Sequence, residues 1–275
     1  MGRPRRLGRR AGAKPLVSCS VKLGAGAHRQ VARLRAAHRV QYPLEMAGPA
    51  HVVDLISNTE EVFRLFGIHE ELSGTGPGRR HKLEILNKSG VVLLVACWEA
   101  FVEDLATAAF DVMLAKATSH TVFPSKVLAM AAKPLRESND EREVWRLADA
   151  GWKTVLQNHR ASVIKRLVGD LNTPRPTQVD SLFEELIGLR KISTLWHWHG
   201  TTATQAAARL NRMVTVRGDI AHRVKASAAV RKQDVNNGAL FISRLAAKSS
   251  NAVRQHLFDR LGQYPWTRVS YKSVG

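Results

Sequence analysis

Residues 91–104 read Val91-Val92-Leu93-Leu94-Val95-Ala96-Cys97-Trp98-Glu99-Ala100-Phe101-Val102-Glu103-Asp104. The first eight of them are apolar without a break. Eight consecutive residues cover more than two turns of an α-helix, so an apolar run of that length leaves no side for water. The reading is a helix buried all round, the spine of a domain, extending over about 83–118. Glu99 and Glu103 lie four apart and share one face of it. A carboxylate beside a buried spine needs a partner: Glu99 either pairs structurally with a buried Arg or His, or orients a basic catalytic group.

On the N-terminal side, Val52, Val53, Leu55, Ile56, Val62, Phe63, Leu65, Phe66 and Leu72 recur at spacings of three and four, a helix ended by Ser73-Gly74-Thr75-Gly76-Pro77-Gly78. On the C-terminal side, Pro124 and Pro134 punctuate a short connection, and 144–171 reads as a second long helix. Asn172-Thr173-Pro174-Arg175-Pro176-Thr177 is a rigid break. A helix through Leu182, Phe183, Leu186, Ile187 and Leu189 follows. A loop over 192–200 precedes helices over about 202–223 and 234–261. No sustained alternation of period two marks a strand. The expectation is an all-α, up-and-down helical bundle with a long central helix, occupying 47–266. Residues 267–275 read as a C-terminal tail.

The net charge is +19 over 275 residues. Residues 1–45 hold eleven Lys and Arg against the single acid Glu45, more than half of that excess. Residues 1–46 therefore read as a basic, disordered leader. It is an over-extended start with initiation at Met46, an arm that touches nucleic acid, or an Arg-rich transit peptide. The charge makes an acidic polymer a natural partner, and its concentration in the leader leaves the domain only moderately basic. Cys19 and Cys97 form no disulfide framework or zinc pattern. No uninterrupted apolar run approaches the roughly 20 residues of a membrane span. A cytoplasmic protein without a membrane partner is expected.

Four motifs carry chemistry. Gly74 to Lys82 sets glycines before Arg79, Arg80 and Lys82, a surface for an RNA backbone or a plain helix connection; it lacks the Gly-Lys-Ser/Thr ending of a phosphate loop. His197 and His199 flank Trp198, but no third and fourth metal ligands follow at suitable spacing, so an aromatic loop covering one end of the bundle is the simpler reading. The third motif is Glu99 with Glu103. The fourth is Arg217-Gly218-Asp219-Ile220-Ala221-His222. Five helical steps leave Arg217 and His222 about 140° apart. Spacing alone fits two solvated residues in a basic stretch that continues through Arg223 and Lys225.

Taken together, these segments resemble the RiboL-PSP-HEPN branch of the HEPN superfamily. The aliphatic run into Trp98-Glu99, the Asn172 to Pro176 break, Leu182-Phe183, Trp196 before a helix, and Arg217 with His222 come in its order and spacing. The resemblance implies an α-helical, usually dimeric domain acting as an endoribonuclease without metal or cofactor, of the kind found in toxin–antitoxin and phage-defence systems. Carried over, Arg217 and His222 are the catalytic pair, with Asp219, Glu99 or Glu103 in support and RNA as substrate. An antitoxin or regulatory protein is a further expected partner. Some HEPN domains only bind RNA or protein, which is the alternative. One departure stands out: Gly218 follows the motif arginine, where family members often carry a polar residue.

The chemistry suits the residue types. Histidine titrates near neutral pH and can serve as acid or base. Arginine stays charged and offers a planar fork to phosphate oxygens. One histidine serves one proton transfer, so two motifs meeting across a homodimer would supply both. The products would be a 2′,3′-cyclic phosphate and a 5′-OH.

Overall fold

The computed structural model describes residues 44, 48–73, 84–169, 171, 173–223 and 229–271, with side chains excepted at 66–73 and 223. They fall within one compact unit, Tyr42–Gly275. Seven α-helices are described: α1 (Ala50–Ser73), α2 (Glu84–Lys116), α3 (Ser125–Arg136), α4 (Gly151–Leu167), α5 (Pro176–Ile187), α6 (Ala203–Arg223) and α7 (Lys232–Leu261). Short 3-10 turns fill the gaps at His120–Val122, Glu141–Leu147 and Ile192–Leu195. Among the described residues there are no strands, and the protein is all-α as its periodicities require.

The 91–104 stretch does form the spine. α2 packs against α1, α4, α5, α6 and α7. Leu94, Val95, Trp98, Phe101, Val102, Leu105, Ala106, Ala109 and Phe110 on it are fully or almost fully buried. By length and composition alone α2 could cross a membrane, a property it shares with the buried core helices of helical bundles. In this fold half of its most apolar window is buried by other helices.

Trp98 ties the core together. Its indole N–H donates to the Pro174 carbonyl at 3.1 Å. Its ring stands edge-on to Trp196 at 5.8 Å. Trp196 in turn donates to Ser249 Oγ on α7 at 2.9 Å. One knot therefore joins α2, the break before α5, the segment before α6, and α7. Truncating either buried indole to alanine removes contacts worth about 3–5 kcal/mol. Beyond α7 the chain turns back: Asn251 brackets Val269, accepting from its N–H at 2.9 Å and donating to its carbonyl at 2.8 Å. Residues 267–271, inside the stretch read as a tail, are thus held against α7.

Two elements differ from expectation. The connection punctuated by Pro134 is a helix, α3, running through that proline to Arg136. The proline removes one N–H···O=C bond near the helix end, and the buried stripe Val127–Ala131–Leu135 holds the helix down. The single helix expected over 144–171 is instead a 3-10 turn, a bend at Asp149 with φ +48°, and α4. A Cβ at Gly151 would lie 2.1 Å from the Arg146 carbonyl oxygen. Only glycine allows that approach, and apolar periodicity does not report it. Asp111 of α2 receives a two-pronged hydrogen bond from Arg160 of α4, and Lys153 Nζ donates to the Ala115 carbonyl at the end of α2 at 2.9 Å.

Candidate active site

α6 carries the Arg217 to His222 motif, and its start is fixed locally. The Gln205 side chain accepts from the Thr202 N–H at 2.8 Å, while Thr202 Oγ1 accepts from the Gln205 N–H at 3.2 Å. This reciprocal box satisfies donors that the first turn of a helix leaves open. Ala206, Leu210 and Val214 form the buried stripe of α6. At 100° per residue Arg217 continues that stripe, and it is half-buried. The motif arginine therefore lies on the packed side of α6.

Its charge reaches Glu99 of α2. Burial pushes the Glu99 carboxyl above the ordinary carboxylate range, and the positive charge of Arg217 pulls in the opposite direction. The next acids amplify the field. Glu103 is raised by burial, then by Glu99 and Asp104. Asp104 is raised by burial, then by Asp54 of α1. Arg217 thus faces an acidic ridge with Glu99 at its near end. Both readings of Glu99 give it a basic partner, and Arg217 is the basic group whose charge acts on it.

His222 is different. It lies in the last turn of α6 and is exposed. On the helical wheel it follows Asn211, Thr215 and Gly218, about 140° around from Arg217. One arginine missed in the sequence reading sits on that side. Arg175 Nη1 donates to the carbonyl and side chain of Asn211, at 3.3 Å each, and Nη2 donates to Thr215 Oγ1 at 3.2 Å. Arg175 lies between Pro174, which accepts from Trp98, and Pro176, which opens α5. The Pro-Arg-Pro break therefore anchors α6 to α2 and sets the rotation that turns Arg217 inward. The only sequence signal was a cation held between two prolines. Next to Arg175, a Cβ built at Gly218 would meet nothing within 4 Å. That leaves an open site between Thr215 and His222.

Asp219 is half-buried beside the motif. Glu103 lies one turn beyond Glu99, its charge coupled to the acids and not to Arg217. Of the other residues singled out, Arg79, Arg80, Lys82, Lys225 and the Arg223 side chain lie outside the described residues. The 192–200 segment contains a 3-10 turn where a loop was expected; Trp196 is buried, whereas His197 and His199 are exposed. Among the described residues no three His, Cys, Asp or Glu side chains come together as a metal-binding group. Burial pushes the Cys97 thiol up to about 11, so at neutral pH it is no nucleophile.

An all-α bundle with an Arg and a His five residues apart near the end of one helix is what the resemblance to HEPN domains implies. The RiboL-PSP-HEPN family matches the chain over residues 54–254, nearly three quarters of its length, and the protein belongs to that family. No curated protein and no solved structure matches it. HEPN domains act on RNA, many as ribonucleases and others without catalysis. The matched span includes every segment of the Trp98 knot. Those segments hold the fold, while the Arg217 to His222 motif sits on α6.

Proposed function

We propose that this protein is a metal-independent endoribonuclease, active as a homodimer, cleaving cellular RNA to 2′,3′-cyclic phosphate and 5′-OH ends. The observation that carries this reading is the division of labour on α6. Arg217 is half-buried and its charge acts on Glu99, whereas His222 stands exposed beside the open position at Gly218. One chain thus presents half of an acid–base site, and a two-fold axis passing near the end of α6 would supply the other half.

In that site one His222 takes the proton of the 2′-OH. The freed oxygen attacks the adjacent phosphorus, and the bond to the 5′-oxygen breaks. The second His222 gives that oxygen its proton. Arg217 of each chain neutralises charge at the pentacoordinate phosphorus, and Glu99 keeps its guanidinium in place. Arg79, Arg80, Lys82, Arg223 and Lys225 are assigned to the RNA backbone. A cytoplasmic toxin or defence effector restrained by an antitoxin or regulatory protein is the setting we assign.

The test is to incubate the purified protein with total RNA in EDTA and to map the ends. His222→Ala and Arg217→Ala should each abolish cleavage with the fold intact; cleavage surviving both changes overturns the reading. Titrating wild-type chain with His222→Ala chain probes the dimer. If each site needs both histidines, an equal mixture retains about a quarter of the activity, against about half for independent chains. Gly218 favours a second reading, an RNA-binding module without catalysis. It predicts RNA retention without new ends and binding that His222→Ala leaves unchanged.

A further inference from the structure

Away from Arg217 and His222, a cavity of about 420 Å³ opens between the first half of α6, the middle of α7, the turn closed by Trp198 and Thr201, and Tyr271. Two arginines and three aromatic rings dominate it. The Arg209 guanidinium lies 4.4 Å over the Phe241 ring, and its Nη2 donates to the Asn237 carbonyl at 2.8 Å. The Arg244 guanidinium lies 4.1 Å over Tyr271 and 5.5 Å from the centre of Trp198. No carboxylate lines this cavity, and neither arginine is in an ion pair among the described residues. Two cations facing one recess without an anion repel each other, and a bound anion would relieve that.

The recess is built in advance of any ligand. Trp198 and Thr201 exchange backbone hydrogen bonds at 3.0 and 2.9 Å around Gly200 at φ +75°. That turn fixes the Trp198 ring, 6.2 Å from Phe241. Tyr271 is paired to Leu44 through the backbone, just beyond the Val269 that Asn251 holds. Stacking on rings leaves the N–H edges of both guanidinia available to acceptors, and Arg209 has committed one of its five donors to Asn237. The His-Trp-His segment that makes no metal site thus has another use, since it carries Trp198 into this wall.

The recess also leads toward the motif. A second groove of about 340 Å³ shares Arg209 and Asn237 with it and continues along Arg212 and Val216 of α6. Arg209, Arg212, Val216 and Asp219 follow at intervals of three and four, one side of the helix. From Arg209 to His222 the distance along the axis is about 20 Å.

We propose that this recess is a nucleotide subsite for single-stranded RNA. One unpaired base stacks on the layer made by Trp198, Arg244 and Tyr271, and a neighbouring phosphate sits on the N–H edges of Arg209 and Arg244. Unpaired bases are bound in this way, on aromatic rings and guanidinium planes with cations along the backbone. The subsite holds the strand upstream or downstream of the scissile bond and selects RNA that is single-stranded at that distance. It rests on the reading of the protein as one that acts on RNA, and it does not require that the protein cleave it.

The experiment uses the full chain with His222→Ala, so that no cleavage intervenes. Fluorescence anisotropy compares a labelled oligoadenylate of about twelve nucleotides with an abasic ribose-phosphate oligomer of the same length. The parent should bind the oligoadenylate on the order of 10-fold more tightly, the worth of one stacked base. Trp198→Leu and Arg244→Gln should each bring the two affinities together, and Arg244→Gln should also lower the salt dependence of binding. A 4-thiouridine placed in the oligomer and irradiated on the unsubstituted recess should join to the peptide containing Trp198 or Tyr271, which decides the matter if a variant fails to fold. Equal affinity of the parent for both oligomers, unchanged preference in folded variants, or a crosslink confined to other peptides overturns the subsite. Cleavage of total RNA by the wild type together with any of these results leaves the nuclease reading standing while the subsite falls. A base preference that depends on Trp198, in a wild type that cuts nothing, does the reverse.

Discussion

His51 and His222 have the same side chain in opposite situations. His51, in the first turn of α1, is almost completely buried. Its Nε2 is 2.9 Å from Ser250 Oγ on α7, and its ring stands edge-on to Phe101 at 5.7 Å and to Trp266 at 4.9 Å. Burial lowers its pKa from 6.5 to about 4, so it is a neutral, packed link between α1 and α7. His222 is exposed at the end of α6. A proton shuttle must reach water or substrate and must change charge without disturbing the core. His222 can do that, and His51 is prevented from doing it by its packing.

Replacing each histidine separates stability from rate. His222→Ala should lower cleavage by 10²-fold or more, the usual worth of a general acid or base, while Tm moves by less than a degree or two. His51→Ala should do the converse. It removes a packed ring and strands the Ser250 hydroxyl, and about 2–4 kcal/mol of unfolding free energy should go with it. Cleavage per folded molecule should be unchanged. Denaturant melts and rate measurements on both variants test the contrast, and a His51→Ala protein that is stable but inactive would break it.

The pH dependence of stability sharpens the same contrast. A histidine with a folded pKa below its unfolded value stabilises the fold fully above the unfolded value. That contribution is lost as pH falls from 6.5 toward about 4. The loss over that window amounts to about 3 kcal/mol. His51→Gln, which cannot take up this proton, should flatten urea-derived stability across the window.

Glu99 offers a smaller test with opposite signs for stability and rate. Burial outweighs Arg217 in raising its pKa, so the folded state favours the protonated acid and the ionised form weakens the fold as pH rises through the raised value. Glu99→Gln should therefore leave Tm at pH 7 unchanged or slightly higher. It also removes the charge that holds Arg217, and cleavage should fall on the order of 10-fold through misplacement of the guanidinium. A loss confined to stability would make Glu99 a structural acid only.

Much of this could be read before the fold was known, and what was missed has a common cause. The all-round apolar run of α2 and the three-and-four spacing of α1 are local signals, and those helices lie where expected. The course of α3 through Pro134 depends on the burial of Val127, Ala131 and Leu135 against other helices, and the break before α4 depends on the contact between Gly151 and the Arg146 carbonyl. Apolar spacing carries neither. Glu99 was readable as an acid in need of a basic partner, but only tertiary packing selects Arg217. Arg175 was unreadable for the same reason, since its partners Asn211 and Thr215 lie on a different helix.

Gly218 gives the smallest effect and the sharpest reading of the exposed side of α6. Its Cβ position is open, and glycine inside a helix is less favourable than alanine by about 0.5–1 kcal/mol. Gly218→Ala should therefore raise Tm by about 1–4 °C in a domain of this size. The added methyl projects on the side of Thr215 and His222, away from Arg217 and Glu99, so the inner half of the motif is undisturbed. Cleavage should stay within about twofold if substrate reaches His222 through its imidazole alone. A higher Tm accompanied by a steep loss of cleavage would mean that RNA lies against the bare backbone at Gly218. In that case the missing side chain is a feature of substrate fit on the His222 side, and glycine in this position belongs to the active form of the site.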